Sequence, residues 1–310
     1  MKLTILGSGT SIGIPVPTCE CEVCQSHDPK DNRLRCSALL QTDRGQQILI
    51  DCGPDMRQQA LRAHIMHIDA LLLTHNHFDH CYGLDDLRPW AYRQPLPTYA
   101  DQIMTDALLD RWDYIFVHRY PGVPSLELHT LHPDADPNME RVRLMVETQT
   151  DLEAAHHSKG NIQPRFSRPQ EGVGGRDASF RVGDTLCQPI RCFHGAMPIL
   201  GYRIEGLAYL TDCTCIPEPE FQKLERVDTL VIDALRWQPH PTHFSVEQAL
   251  EVVARLQPRQ TFFTHISHDM GLHQDFRTRL NAEMAGKFPQ SLLDSVSLAY
   301  DGQVIIVNNE

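Results

Sequence analysis

No stretch of this chain approaches the roughly 20 consecutive apolar residues that a membrane-spanning helix needs, and a transmembrane reading is excluded at the outset. Basic charge is also scarce. Against 40 Asp and Glu stand only 28 Lys and Arg, a formal net charge of −12. A general nucleic-acid binder neutralises phosphates with a basic surface, which this chain lacks. The opening Lys2-Leu3-Thr4-Ile5-Leu6 is too short for a signal-peptide core and runs into a glycine turn, so it reads as a first strand. Cysteine is not scarce, yet the ten thiols fall in tight groups beside His and Asp rather than at disulfide-framework spacings. Metal-bound thiolates in a reducing cytoplasm are the expectation.

What is present is an α/β pattern: short apolar runs alternate with turn signals and helical stretches throughout. Strands are expected at Leu3 to Leu6, Ser37 to Thr42, Gln47 to Asp51, Ala70 to Thr74, Leu186 to Phe193, Gly201 to Ile204, Ala208 to Thr211, Thr229 to Ala234 and Thr261 to Thr264. Ser245 and Gln248 have capping-box spacing at the start of a helix whose stripe is Val246, Leu250, Val253 and Leu256, and Pro258 stops it. Asp301-Gly302, between Ser297 to Tyr300 and Gln303 to Val307, predicts a closing hairpin. The stretch at about 133–178 is rich in Pro, Gly and charge, with only Arg143 to Glu147 strand-like. It reads as an insertion in one domain spanning 1–310.

The chemistry concentrates after the apolar run Leu71-Leu72-Leu73. Thr74-His75-Asn76-His77-Phe78-Asp79-His80 delivers four ligand-type side chains within six residues. In an extended loop, residues two apart face the same way, so His75 and His77 can grip one ion while Asp79 and His80 turn toward a second. Imidazole and carboxylate donors suit zinc, with manganese or iron as alternatives. Downstream, His194, Asp212 and His265 each follow a strand, where side chains on loops are held by rigid structure. Such paired ions lower the pKa of a shared water, making a bridging hydroxide available at neutral pH, which Asp79 and Asp212 would orient.

This set of seven resembles the metallo-β-lactamase superfamily signature. The resemblance implies an αββα sandwich of two face-to-face mixed sheets with helices outside and metals at one edge. It implies further that His75, His77 and His194 hold one metal, that Asp79, His80 and His265 hold the other, and that Asp212 bridges.

Cys19-Glu20-Cys21-Glu22-Val23-Cys24 places three thiols in six residues, and three thiolates plus one more ligand close a tetrahedral zinc site. His268, three residues after His265, is the preferred fourth ligand, with Cys213, Cys215 and Asp269 as competitors. The triplet with such a His resembles the phosphoribosyl 1,2-cyclic phosphate phosphodiesterases. So do Gly7 to Ser11, Asp31 to Arg35, Asp51 to Asp55 and Gly83 to Pro89. Asp51 either orients a ligating His or caps the helix after Pro54.

The same branch implies a general acid at His243, with His240 as the alternative. The function expected is hydrolysis of a small cyclic or nucleotide-like phosphate ester by two catalytic divalent metals, supported by one structural zinc. A transfer-RNA 3′-processing endonuclease and a non-enzymatic binding protein on the same fold are the rivals. The partner expected is the small phosphate ester, with no membrane; a homodimer is compatible with the sequence.

Overall fold

The computed structural model describes residues 1–92, 94–117, 121–133 and 178–309. Two seven-stranded sheets face each other. The first contains β1 (Lys2–Gly7), β2 (Ser37–Gln41), β3 (Gln47–Ile50), β4 (Ala70–Leu72), β5 (Leu96–Asp101), β6 (Leu126–Leu131) and β14 (Val304–Ile306), in the order β14-β1-β2-β3-β4-β5-β6. The second contains β7 (Phe180–Val182), β8 (Thr185–His194), β9 (Met197–Ile204), β10 (Leu207–Leu210), β11 (Thr229–Asp233), β12 (Gln260–Thr264) and β13 (Val296–Leu298), in the order β13-β12-β11-β10-β9-β8-β7. Each sheet is mixed. β3 to β6 run parallel, as do β10 to β13, and the remaining pairs are antiparallel.

Period-two alternation explains the layering, because successive strand side chains point to opposite faces. Leu3, Ile5, Ile48 and Ile50 meet Leu207, Tyr209 and Val231 between the sheets. Leu6 and Leu49 turn outward instead, onto α1 (Met56–Ala63) and its neighbours. On the other side, Ala208, Leu210, Leu230 and Ile232 pack against the helix Val246–Leu256. That is the expected αββα sandwich. The helix carries the predicted capping box, with Ser245 and Gln248 each bonding the other's backbone, and ends at Gln257 in the left-handed region, ahead of Pro258.

The closing hairpin does not form. β13 pairs with β12 in the second sheet and β14 with β1 in the first, so Asp301-Gly302 carries the chain from one sheet to the other. Each flanking strand finds an edge longer than its sequence neighbour offers. The Asp301 carboxylate accepts instead from Ser8 N (2.9 Å), Ser8 Oγ (2.9 Å) and Leu34 N (2.8 Å), fastening the turn to the N-terminal loop. β5, β6 and β7 had no clear sequence signal. In β5, Pro97 falls beyond the two residues that pair with β4, so its missing N–H costs no bond on that side. The stretch 134–177, with Arg143 to Glu147, lies outside the described residues.

The sheets meet where the site begins. Tyr202 on β9 donates its hydroxyl to Leu73 O (2.7 Å), and Leu200 N donates to Thr74 O (2.9 Å). These bonds hold the exit of β4 against the facing sheet.

Candidate metal centre

Six strands deliver polar side chains at their C-terminal ends: Asp51 after β3, the His75 loop after β4, His194 ending β8, Asp212 after β10, Asp233 ending β11 and His265 after β12. Three of these residues, Asp51 (φ 60°), Asp212 (φ 54°) and His265 (φ 56°), adopt left-handed backbone. Such a conformation costs a non-glycine residue on the order of 1–3 kcal/mol and tends to persist where function holds it. All three side chains are buried at one place.

The structure brings all seven predicted ligands together. Asp79, His80, Asp212 and His265 form one group whose donor atoms lie within 4.8 Å of one another; His75, His77 and Asp212 form a second. Asp212 belongs to both. His80 Nε2 is 3.1 Å from both Asp79 Oδ2 and Asp212 Oδ2, and His265 Nε2 is 3.1 Å from Asp212 Oδ1. The His194 ring lies 5.0 Å from that of His77 and 5.8 Å from that of His75, while its donor groups most tightly with Asp212 and His243.

The outer nitrogens are held so that the inner ones face the cluster. His80 Nδ1 bonds Asp51 Oδ2 at 2.7 Å, His75 Nδ1 bonds Thr74 Oγ1 at 2.9 Å, and His194 Nδ1 donates to Thr242 O at 2.7 Å. Thr74 passes its own hydroxyl proton to Asp51 at 2.8 Å. Asp51 therefore orients the site; the N-cap of α1 is Asp55, without a side-chain cap bond. Buried His75 Nε2 lacks a hydrogen-bond partner among the described residues, and His80 Nε2, close as it is to two carboxylates, meets neither in hydrogen-bonding geometry. Buried polar atoms are rarely left so, and a cation would complete them.

Glycine permits this packing at one point. A Cβ on Gly53 would lie 2.0 Å from Asp79 O, so any side chain there would push the helical turn Phe78–Cys81 off its place. Cys52 N donates to His80 O (2.8 Å), fixing the same turn from the Asp51 side.

Electrostatics follow the geometry. Burial and the neighbouring His80 drive His75 well below its ordinary pKa, and burial with His194 lowers His77, keeping both neutral. Burial opposes charge on His80 too, but Asp212, Asp79 and Asp51 outweigh it and raise it well above normal. Burial likewise works against the Asp212 carboxylate, yet His265 and His80 hold it far below its usual range. A cluster so dominated by mutual attraction is arranged to share positive charge.

His243 lies beside this cluster, buried, with its ring stacked on His265 at 4.8 Å and edge-on to His194 at 4.6 Å. Its Nδ1 is bonded by Asp233 Oδ2 at 2.9 Å, leaving Nε2 for other work. Burial and His265 depress His243 to about 4, against pulls from Asp212 and Asp79. Asp233 is pushed well up, burial being the main cause. The structure adds Asp233 to the candidate residues. In sequence, Thr229 to Ala234 reads only as a strand, although a carboxylate ending an apolar run is a signal of the same kind as Asp212. His240, 5.1 Å from His243 between ring centroids, has its Nδ1 at 3.2 Å from Thr242 Oγ1 and is more exposed.

The second cluster is separate. Cys19, Cys21 and Cys24 Sγ lie 3.3, 3.5 and 3.5 Å from His268 Nδ1. The edge between S and N ligands of tetrahedral zinc is about 3.6 Å by the usual bond lengths, so the four donors fit such an ion. Val16 N and Cys24 N point at the sulfurs of Cys24 and Cys21. Cys213 Sγ faces Cys215 O instead, and Asp269 is largely exposed; neither pair nor carboxylate joins the group.

Comparison with known proteins places the fold. The family model described as the Beta-lactamase superfamily domain matches residues 46–173 and 174–266. A protein named octanoyltransferase from Porphyromonas gingivalis is 38% identical over 277 residues, 89% of this chain but 48% of that protein. The chain thus spans about half the length of that relative. A ribonuclease Z from Mycolicibacterium gilvum is 27% identical over 286 residues, covering 86% of this chain and 84% of that one. Among solved structures, a diphosphatase from the PhnP family superposes with a TM-score of 0.74 at 33% identity, covering 98% of this chain and 96% of the other. Among the described residues, no helix is long and apolar enough to cross a membrane. On sequence, fold and the matched stretch together, the chain belongs to the metallo-β-lactamase superfamily, near its PhnP branch.

Proposed function

We propose that this chain is a metal-dependent phosphodiesterase that cleaves a small cyclic or nucleotide-like phosphate ester. In this reading residues 1–310 form one domain, His75, His77, Asp79, His80, His194, Asp212 and His265 hold two divalent cations, and Cys19, Cys21, Cys24 and His268 hold a structural zinc. The observation that carries it is the sharing of Asp212 between two donor groups, with the Asp233–His243 pair directly alongside. When bound, the paired cations supply Lewis acidity for a water and for the phosphate oxygens.

The chain's own residues do the rest. Asp51 and Thr74 fix the tautomers of His80 and His75, so each ligating nitrogen presents a lone pair. Asp79 and Asp212 are positioned to accept a proton from the attacking water. His243 is the proton donor to the departing ester oxygen: Asp233 accepts from Nδ1 and so leaves Nε2 to carry the proton. An anionic phosphate beside Nε2 favours the charged ring, countering the burial that depresses it.

A screen of metal-loaded protein against cyclic ribose phosphates, cyclic nucleotides, aryl phosphodiesters and a precursor transfer RNA tests the reading. Turnover of the small esters supports it, and inactivity on all of them refutes it. The ribonuclease Z match across most of the chain keeps RNA 3′-processing as the second reading, and preferential cleavage of the precursor would establish it. The net charge of −12 weighs against that outcome.

A further inference from the structure

Two exposed aromatic rings sit on the turn that carries Asp79 and His80 and take no part in holding a cation or moving a proton. Phe78, between His77 and Asp79, is 51% exposed, and Tyr82 is 43% exposed. Residues four apart share a face of a helical turn, and these two do: their ring centroids are 4.6 Å apart. Asp79 and His80, on the other faces of the turn, are buried. Behind the pair, the buried Trp112 meets Tyr82 edge-on at 4.8 Å. A lone exposed aromatic is ordinary. Here there are two in contact, braced from behind, one inside the loop that carries four metal-binding candidates and the other two residues past its end.

One flank of this pair is also fixed. The Arg35 guanidinium lies 6.0 Å from the Phe78 ring centre, pairs with Asp55 at 3.0 Å and donates from Nε to Ser11 O at 2.8 Å. That places the loop containing Ile12, itself 51% exposed, beside Phe78. The loop is tied to the cluster as well: Thr10 N donates to Ile266 O and Ile266 N to Ser8 O, one residue past His265. Phe78 and Tyr82 therefore form an exposed apolar pair, flanked by a guanidinium, on the same short turn that carries Asp79 and His80.

We propose that Phe78 and Tyr82 are a stacking platform for a planar aromatic group of the substrate, the base of a mononucleotide-sized ester whose phosphate sits at the cluster. The proposal rests on the phosphodiesterase reading and narrows it from bare sugar phosphates to esters carrying a base. Stacking on an aromatic face accepts any base, since each has a π-face, and the neighbouring guanidinium suits an anionic ligand.

The test compares wild type with Phe78→Leu, Tyr82→Leu and Phe78→Trp. It reads the ratio of kcat/KM for adenosine 2′,3′-cyclic phosphate over that for base-free ribose cyclic phosphate, and calorimetric binding of adenosine monophosphate. Each Leu variant, keeping bulk without a π-face, is expected to lower the ratio and the nucleotide affinity about tenfold, whereas Phe78→Trp retains both. An unchanged ratio and affinity in both Leu variants overturns the platform. Metal content is measured throughout, and Tyr82→Leu, outside the metal loop, decides if Phe78→Leu loses metal. Should wild type hydrolyse neither ester yet bind adenosine monophosphate through these rings, the phosphodiesterase reading falls and the platform stands. Should it hydrolyse both while nucleotide binding ignores the rings, the reverse holds.

Discussion

The two donor clusters differ in a way that separates their expected roles. Three of the four donors around His268 come from six consecutive residues, and all three sulfurs converge on one nitrogen at 3.3–3.5 Å, a closed set. The His75–His265 cluster gathers its donors from four separated segments, shares one carboxylate between groups and leaves His243 beside it without closing the shell. Structural zinc sites are closed, while catalytic sites keep a position open. A compact set built from local sequence suits holding a loop; a distributed set at strand ends suits reacting.

Asp212 is the sharpest place to test that contrast. Asp212→Ala is expected to reduce metal content from three toward one per chain and to lower phosphodiester turnover by about 10³-fold or more, because a ligand common to both donor groups is lost. Metal analysis and steady-state kinetics check it. Three retained metals would mean that Asp212 is not shared.

A step smaller is the proton donor. His243→Ala should slow esters with poor leaving groups by about 10²-fold while activated aryl esters change far less. Asp233→Asn should show the same bias more weakly, since the ring survives but its tautomer is no longer enforced. Equal loss on both substrate types would remove His243 from proton donation and leave it as packing over His265.

Asp51→Asn probes the support beneath the open cluster. The His80 ring would lose a charged acceptor at 2.7 Å, so metal affinity is expected to fall about 10- to 100-fold, with activity recovered at high metal concentration. Unchanged affinity, read by competition with a chelating dye, would assign Asp51 to Thr74 and the backbone alone.

How much of this was legible in sequence depends on the range over which each feature is specified. The Cys19 to Cys24 triplet, the His75 to His80 run and the Ser245 capping box are local, and spacing alone reveals them. His194, Asp212 and His265 were legible only because each ends an apolar strand, with the resemblance supplying their grouping. Asp233 ends such a strand too, but its partner His243 is brought near by tertiary packing. The Asp301-Gly302 turn misled because hairpin signals describe two strands in isolation. Here β12 and β1 offered better edges, and Asp301 was occupied by Ser8 and Leu34.

Cys21→Ser should produce the mildest effect on chemistry and thereby define the boundary between the clusters. Losing one sulfur opens the tetrahedral set, so one metal should be lost and the thermal midpoint should fall, as structural zinc contributes directly to folding. The loop beside His265 keeps other anchors: the two backbone bonds of Ile266 with Ser8 and Thr10, and buried Arg33, which donates to Ser8 Oγ at 2.9 Å. With those intact, kcat is expected to drop only about two- to fivefold, because the supports that remain are independent of the missing sulfur. Metal analysis, a melting curve and kcat on the same preparation measure all three. If kcat instead falls as far as in Asp212→Ala, the cysteine loop sets the position of His265, and the two regions act as one centre.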